Sequence, residues 1–122
     1  QYALLSGKTV LEHTLGIFLK CMPESDVYVA LNSNDKLFKE LSISQDPRIK
    51  VVLGGETRSE SVLSALKAMS GNEWVVVHDA ARPCLPSFDL EQLLTYADRE
   101  DSQGALLVAP IVDTLKRVES DK

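Results

Sequence analysis

The amino-acid sequence predicts an α/β protein, a mostly parallel sheet with helices on both faces joined by right-handed crossovers. Two observations predict it. Along the whole chain the apolar residues switch repeatedly between continuous or period-two runs and a period of 3.6. The segments marked in this way are joined by short connections, with no internal repeat and no linker.

The elements follow in order. Thr9 with Glu12 three residues on is a capping box, and Val10, Leu11, Leu15, Phe18 and Leu19 share one broad face, so a helix starts here and stops before Pro23. Val27-Tyr28-Val29-Ala30-Leu31 concentrates β-branched and aromatic residues ahead of the turn-rich Asn32-Ser33-Asn34-Asp35, which predicts a strand. A short helix is expected at 37–41. Residues 49–53 predict a second strand, ending at Gly54-Gly55. Thr57 and Glu60 then form another capping box, opening a helix with Val62, Leu63, Leu66 and Met69 inward and Gly71 as its stop.

Trp74-Val75-Val76-Val77-His78 is too apolar for one face to stand in water, which predicts a central parallel strand covered on both sides. Truncating Trp74 to alanine would then cost about 3 to 5 kcal/mol. Pro86-Ser87 opens a helix with Leu90, Leu93, Leu94 and Ala97 on one stripe. Gly104 precedes a last strand at 105–109, broken by Pro110.

A length of 122 residues allows one domain or part of one. Size scaling leads to about 6,500 Å² of folded surface against roughly 19,000 Å² for the unfolded chain. Hydrophobic content of 44%, charged content of 25% and a mean hydropathy of -0.05 exclude disorder and low complexity. A net charge of -5 and an isoelectric point near 5.0 argue against nucleic-acid and anionic-membrane partners, while a local basic site for a small anion stays open. No apolar run approaches the ~20 residues of a membrane span. Cys21 and Cys84 form neither a metal pattern nor a disulfide framework, so a reducing, cytoplasmic setting is expected.

In parallel sheets of this kind ligands bind at the carboxyl ends of the strands, which directs attention to four loops. Gly54-Gly55-Glu56-Thr57-Arg58-Ser59-Glu60-Ser61 brings backbone N–H groups and a positive helix end to that edge, with Arg58 as a donor fork and Ser61 as a fixed hydroxyl. The structural alternative is a tight turn leading into a capped helix. In His78-Asp79-Ala80-Ala81-Arg82-Pro83, Asp79 suits Mg²⁺, Arg82 suits a phosphate, and the two small alanines leave room. Here the alternative is an Asp79 to Arg82 ion pair that caps the loop. His78 is read as a hydrogen-bonded structural histidine. Asp113-Thr114-Leu115-Lys116-Arg117 brings further polar groups to the same edge, with Lys116 and Arg117 read as solvated charges.

Taken together, "TVLEH" at 9–13 behind Gln1-Tyr2, "GGETRSESVLSALKA" at 54–68, "WVVVHDAARPCL" at 74–85 and "APIVDTLKR" at 109–117 resemble the 2-C-methyl-D-erythritol 4-phosphate cytidylyltransferases of the non-mevalonate isoprenoid pathway. The resemblance spans the chain. It implies a three-layer, Rossmann-like nucleotidyltransferase fold and transfer of CMP from CTP to methylerythritol 4-phosphate, with pyrophosphate released. Mg²⁺ or another divalent cation is the implied cofactor, and a cytoplasmic homodimer the implied assembly of the complete protein.

Carried over position by position, the resemblance assigns Gly54, Gly55, Glu56, Arg58 and Ser61 to the nucleotide, with the backbone of Gly55 and Glu56 near the base, and sets Ala80 beside the ribose. Asp79 becomes the metal carboxylate and, with Arg82, a catalytic residue. Arg82, Asp113 and Thr114 fall around the sugar-alcohol phosphate. Glu56 is aspartate in some relatives, so its carboxylate need not be operative.

In-line attack of a phosphate on the α-phosphorus of CTP needs cations around a crowded polyanion. The family's glycine-rich loop, of the form P-A-A-G-x-G-x-R, and a lysine just before Gln1-Tyr2 are not in this chain. Neither are the dimerising β-arm, the arginine and the late lysine that relatives carry after Lys122. Residues 1–122 are therefore read as a single partial nucleotidyltransferase domain, expected to be inactive alone. Two alternatives stand beside this reading: a pentitol (ribitol) 5-phosphate cytidylyltransferase, and a non-catalytic α/β nucleotide-binding or receiver-like module.

Overall fold

The structure, a computed structural model, describes residues 1–71 and 74–117 of the chain. It opens on an element that sequence reasoning did not anticipate. β1 (Leu4–Leu5) and β2 (Lys8–Thr9) form an antiparallel hairpin pairing Leu4 with Thr9 and Leu5 with Lys8. Ser6 and Gly7 turn the chain at φ of 49° and 84°, the left-handed pair that a two-residue hairpin loop of matching twist requires. The Ser-Gly dipeptide was the available signal.

Thr9 ends the hairpin and caps α1 (Val10–Cys21) with the expected capping box. Its hydroxyl accepts from the Glu12 N–H at 3.2 Å, and Glu12 Oε2 accepts from the Thr9 N–H at 2.8 Å. The bond from the Thr9 N–H, and after it the one that the Thr9 hydroxyl donates to the same Oε2 at 2.9 Å, hold the Glu12 carboxyl below its ordinary range. Leu11, Leu15 and Phe18 are buried on the predicted face.

β3 (Val27–Leu31) and β4 (Ile49–Leu53) pair in parallel, with Val27 opposite Ile49 and Leu31 opposite Leu53. Between them the helix expected at 37–41 is resolved into two 3₁₀ turns, Phe38–Glu40 and Ser42–Gln45. Leu41 causes the interruption, since its extended backbone (φ -78°, ψ 137°) cannot carry a helical ladder across. Asp35 Oδ1 accepts from the N–H groups of Leu37 and Phe38, both at 3.0 Å, and so starts the first turn. The buried cluster of Leu11, Leu15, Val29 and Phe38 joins α1, β3 and this connection, with Tyr2, Val27, Leu31 and Ile49 packed against it.

α2 (Arg58–Ala68) also carries its predicted capping box, but its apolar side is not inward as expected. Leu63 and Leu66 remain exposed, Val62 and Met69 are half-buried, and Met69 lies past the last helical residue. Gly71 follows with φ 128°, a left-handed value that suits glycine after a helix end. α3 (Ser87–Leu94) begins where predicted and buries Leu90 completely, at 0% exposure.

Two strand predictions are not met. Residues 74–78 and 105–109 carry no strand assignment, and Trp74 is 52% exposed where a central strand would bury it. Leu106 is 85% exposed. The reason is tertiary: a parallel strand exists only beside a hydrogen-bonded neighbour, and among the described residues the only parallel pair is β3 with β4. The inner side of 74–78 has partners, for His78 packs its ring on Phe18 with centroids 5.2 Å apart, whereas its other side stays open. Surface area records the same shortfall, at 9740 Å² rather than the roughly 6,500 Å² that size scaling predicts.

Candidate functional site at the carboxyl edge of the parallel strands

Because β3 and β4 run parallel and in register, both release the chain at one edge of the sheet, Leu31 into Asn32 and Leu53 into Gly54. The Gly54 N–H donates to the Leu31 carbonyl at 2.8 Å, which sets the start of the loop. Glycine is required next. A Cβ on Gly55 would stand 2.2 Å from Glu60 Cβ and 2.9 Å from Glu60 Oε2, so the loop lies directly on the first turn of α2.

The same turn occupies the loop's donors. Glu60 Oε2 accepts from the N–H groups of Glu56 at 2.8 Å and Thr57 at 3.0 Å. Ser61 Oγ accepts from the Gly55 N–H at 3.1 Å and donates to the Thr57 carbonyl at 3.0 Å. The backbone donors of Gly55 and Glu56, assigned from sequence to the base, are thus already satisfied inside the loop. A polar ligand meets them by exchange with Glu60 or Ser61, or meets the loop's carbonyls instead.

The second loop is tied to the first by charge. Arg58 opens α2 and donates from Nε to Asp79 Oδ1 at 2.8 Å. Arg82 Nε stands 3.0 Å from Asp79 Oδ2, so the loop-capping ion pair left open by the sequence is present, with a second arginine added. Both guanidinium-bearing side chains are largely in solvent, Arg58 at 67% and Arg82 at 76% exposure. The hydrogen bond from Arg58 is the chief reason the Asp79 carboxyl lies below its ordinary range, with Arg82 adding a smaller pull.

Backbone anchors hold this loop in place. The Arg82 N–H donates to the Asp79 carbonyl at 3.1 Å, closing a turn. His78 Nε2 lies 2.9 Å from the Arg82 carbonyl; a carbonyl only accepts, so Nε2 carries the proton and the ring serves structure, as its sequence reading held. Thr14 was missed by sequence reasoning. Its buried hydroxyl lies 3.0 Å from the Ala80 carbonyl and 3.0 Å from that of Val10, fastening the loop to α1. A threonine on the inward face of a capped helix was the only signal.

The structure therefore brings Gly54, Gly55, Glu56, Arg58 and Ser61 together with Asp79, Ala80 and Arg82. Asp113 and Thr114 are exposed in a segment without helix or strand, and among the described residues they form no hydrogen bond to this cluster. No group of three or more histidine, cysteine, aspartate or glutamate side chains that could hold a metal is found among the described residues. A single carboxylate does fit Mg²⁺, which completes its octahedron with waters and phosphate oxygens.

Comparison with known proteins was consistent along the whole chain. The IspD family model, described as 2-C-methyl-D-erythritol 4-phosphate cytidylyltransferase, matches residues 1–122. Proteins of that name from Haemophilus ducreyi and Haemophilus influenzae (strain PittGG) are 45% and 46% identical to it over 100% of this chain, which covers 53% and 52% of their lengths. The chain thus spans about half the length of the curated relatives it matches. A crystal structure of 4-diphosphocytidyl-2C-methyl-D-erythritol synthase superposes with a TM-score of 0.79 at 36% identity, covering 98% of this chain and 60% of that one.

Proposed function

Since the chain belongs to the 2-C-methyl-D-erythritol 4-phosphate cytidylyltransferase family, with the α/β fold of its solved relative, we propose that the protein transfers CMP from CTP to the phosphate of methylerythritol 4-phosphate and releases pyrophosphate. The observation that carries this reading is the Arg58, Asp79 and Arg82 cluster beside the glycine loop, at the one edge where the parallel strands end. It puts a carboxylate and two donor forks next to a close-packed backbone, which is what a nucleotide with a charged tail requires.

The chain's own residues divide the work. The loop at 54–61 receives cytosine and ribose, with Ser61 fixed by its bond to Thr57 and Ala80 leaving space beside the sugar. Arg58 and Arg82 draw phosphate oxygens to the sheet edge and offset charge that builds during in-line displacement. Arg82, Asp113 and Thr114 are the residues assigned to the sugar phosphate. Asp79 would hold Mg²⁺, which supplies charge neutralisation along the phosphates. Both arginines also neutralise Asp79.

A cytoplasmic setting and a homodimer belong to the same proposal. Among the described residues no helix is long and apolar enough to cross a membrane. The test is pyrophosphate release from CTP and Mg²⁺ by the protein isolated from its source, with methylerythritol 4-phosphate against ribitol 5-phosphate. Release with the former supports the reading, and release with ribitol phosphate alone replaces the acceptor. Absence of both release and Mg²⁺-dependent CTP binding refutes it.

A further inference from the structure

The structure and the proposed function place competing demands on Asp79. Both its oxygens face guanidinium Nε atoms, Oδ1 at 2.8 Å from Arg58 and Oδ2 at 3.0 Å from Arg82. A divalent cation bound to either oxygen would sit within a few ångströms of two positive charges, and like charges at that distance repel strongly. The arginines and the cation therefore compete for one carboxylate. The guanidiniums can leave, because both side chains are mainly in solvent, and they come from separate elements, α2 and the loop at 78–83. Each touches Asp79 through Nε, and among the described residues their terminal amino groups make no hydrogen bond.

We infer that Asp79 is an exchange site, held by Arg58 and Arg82 until phosphate oxygens draw the arginines away and free the carboxylate for a divalent cation. Phosphate is the better partner for a guanidinium fork, carrying more charge and more acceptor oxygens than one carboxylate. Every arginine that transfers to phosphate removes a competitor from Asp79. Anion and cation binding then reinforce each other, and by linkage the coupling is reciprocal. The local consequence is that metal enters with the nucleotide and is not stored at the site beforehand. This inference rests on Asp79 being the metal carboxylate of the proposed function, and its test separates the two.

The experiment follows the Asp79 and Ala80 amide resonances of the 122-residue chain by NMR during titration with MgCl₂, first alone and then with sodium sulfate, at an ionic strength matched with NaCl. Sulfate is the probe for the arginines because it pairs with guanidinium, and each Mg²⁺ affinity is read against free Mg²⁺ after allowance for the MgSO₄ ion pair. Arg58→Gln and Arg82→Gln should each tighten Mg²⁺ about threefold, and the double variant about tenfold, as expected for releasing partly exposed ion pairs. Sulfate should tighten Mg²⁺ by a similar factor in the parent chain and have no effect in the double variant. Arg58→Lys, which keeps the charge but loses the Nε donor, should fall between. Both arginines are exposed, so these substitutions spare the fold.

If Asp79→Asn abolishes the Mg²⁺ response while the arginine variants and sulfate leave the parent affinity unchanged or weaker, the exchange is refuted and Asp79 as metal carboxylate survives. If Asp79→Asn responds to Mg²⁺ like the parent, or no variant responds at all, both the exchange and that assignment are overturned.

Discussion

Gly55→Ala is the sharpest perturbation the structure offers, because the new methyl group has nowhere to go. Its Cβ would lie 2.2 Å from Glu60 Cβ and 3.1 Å from the Glu60 carbonyl carbon, positions set by the α2 backbone and not by a rotatable side chain. Relief requires the loop to lift off the helix. Crowding of this kind costs about 1 to 3 kcal/mol. Lifting also breaks the two bonds that Glu60 Oε2 accepts from the N–H groups of Glu56 and Thr57, and loss of a helix cap costs about 1 kcal/mol. Against this, alanine lowers the entropy of the unfolded chain by about 0.4 to 1 kcal/mol. The net expectation is destabilisation by about 2 kcal/mol, or a fall in Tm of roughly 8 °C. Urea denaturation of the 122-residue chain measures it. In a Glu60→Ala background, where the Cβ remains and the carboxylate is gone, the cost should fall to about 1 kcal/mol. A change below about 0.5 kcal/mol in the parent background, or a cost that vanishes in Glu60→Ala, would refute the close approach of loop and helix.

Three further outcomes follow from single contacts. Leu90→Ala should cost about 2 to 5 kcal/mol because Leu90 is fully buried, whereas half-exposed Trp74→Ala should cost less than the 3 kcal/mol a central strand implies; equal losses in denaturant would restore the buried strand. Thr14→Val should cost about 1 kcal/mol and speed hydrogen exchange at the Arg82 amide, since it removes the hydroxyl joining α1 to the Ala80 carbonyl; unchanged exchange would make that bond incidental. Asp46 is held at about 2, first by its side-chain hydrogen bond from Arg48. A carboxyl depressed on folding stabilises above its unfolded pKa and loses that contribution as pH falls through the folded value. Asp46→Asn should therefore flatten the pH dependence of Tm between about pH 4 and pH 2, and an unaltered acid limb would exclude the pair as its source.

Local signals were legible wherever one segment contains its own partners. Both capping boxes, the apolar runs at 27–31 and 49–53, and the start of α3 follow from residues within a few positions of each other. The first hairpin carries a local signal as well, the Ser6-Gly7 dipeptide at its turn. At the site, Asp79 and Arg82 lie on one turn, and their pairing could be anticipated from spacing. The pairing of Asp79 with Arg58 could not, because these residues lie 21 positions apart and meet through the packing of α2 beside the sheet.

What the sequence by itself determined is the class of fold, the places where helices begin, and a set of chemical groups at strand ends specific enough to point to a nucleotidyltransferase family. Only the tertiary structure decided which apolar runs become strands and which donors are spoken for. Residues 74–78 have every intrinsic property of a buried strand and still lack a ladder, since a strand is a relation between two segments and hydropathy belongs to one. The amides of Gly55 and Glu56 are available to a ligand on paper and held by Ser61 and Glu60 in space, because a hydrogen-bonding group pairs with whatever the fold brings nearest.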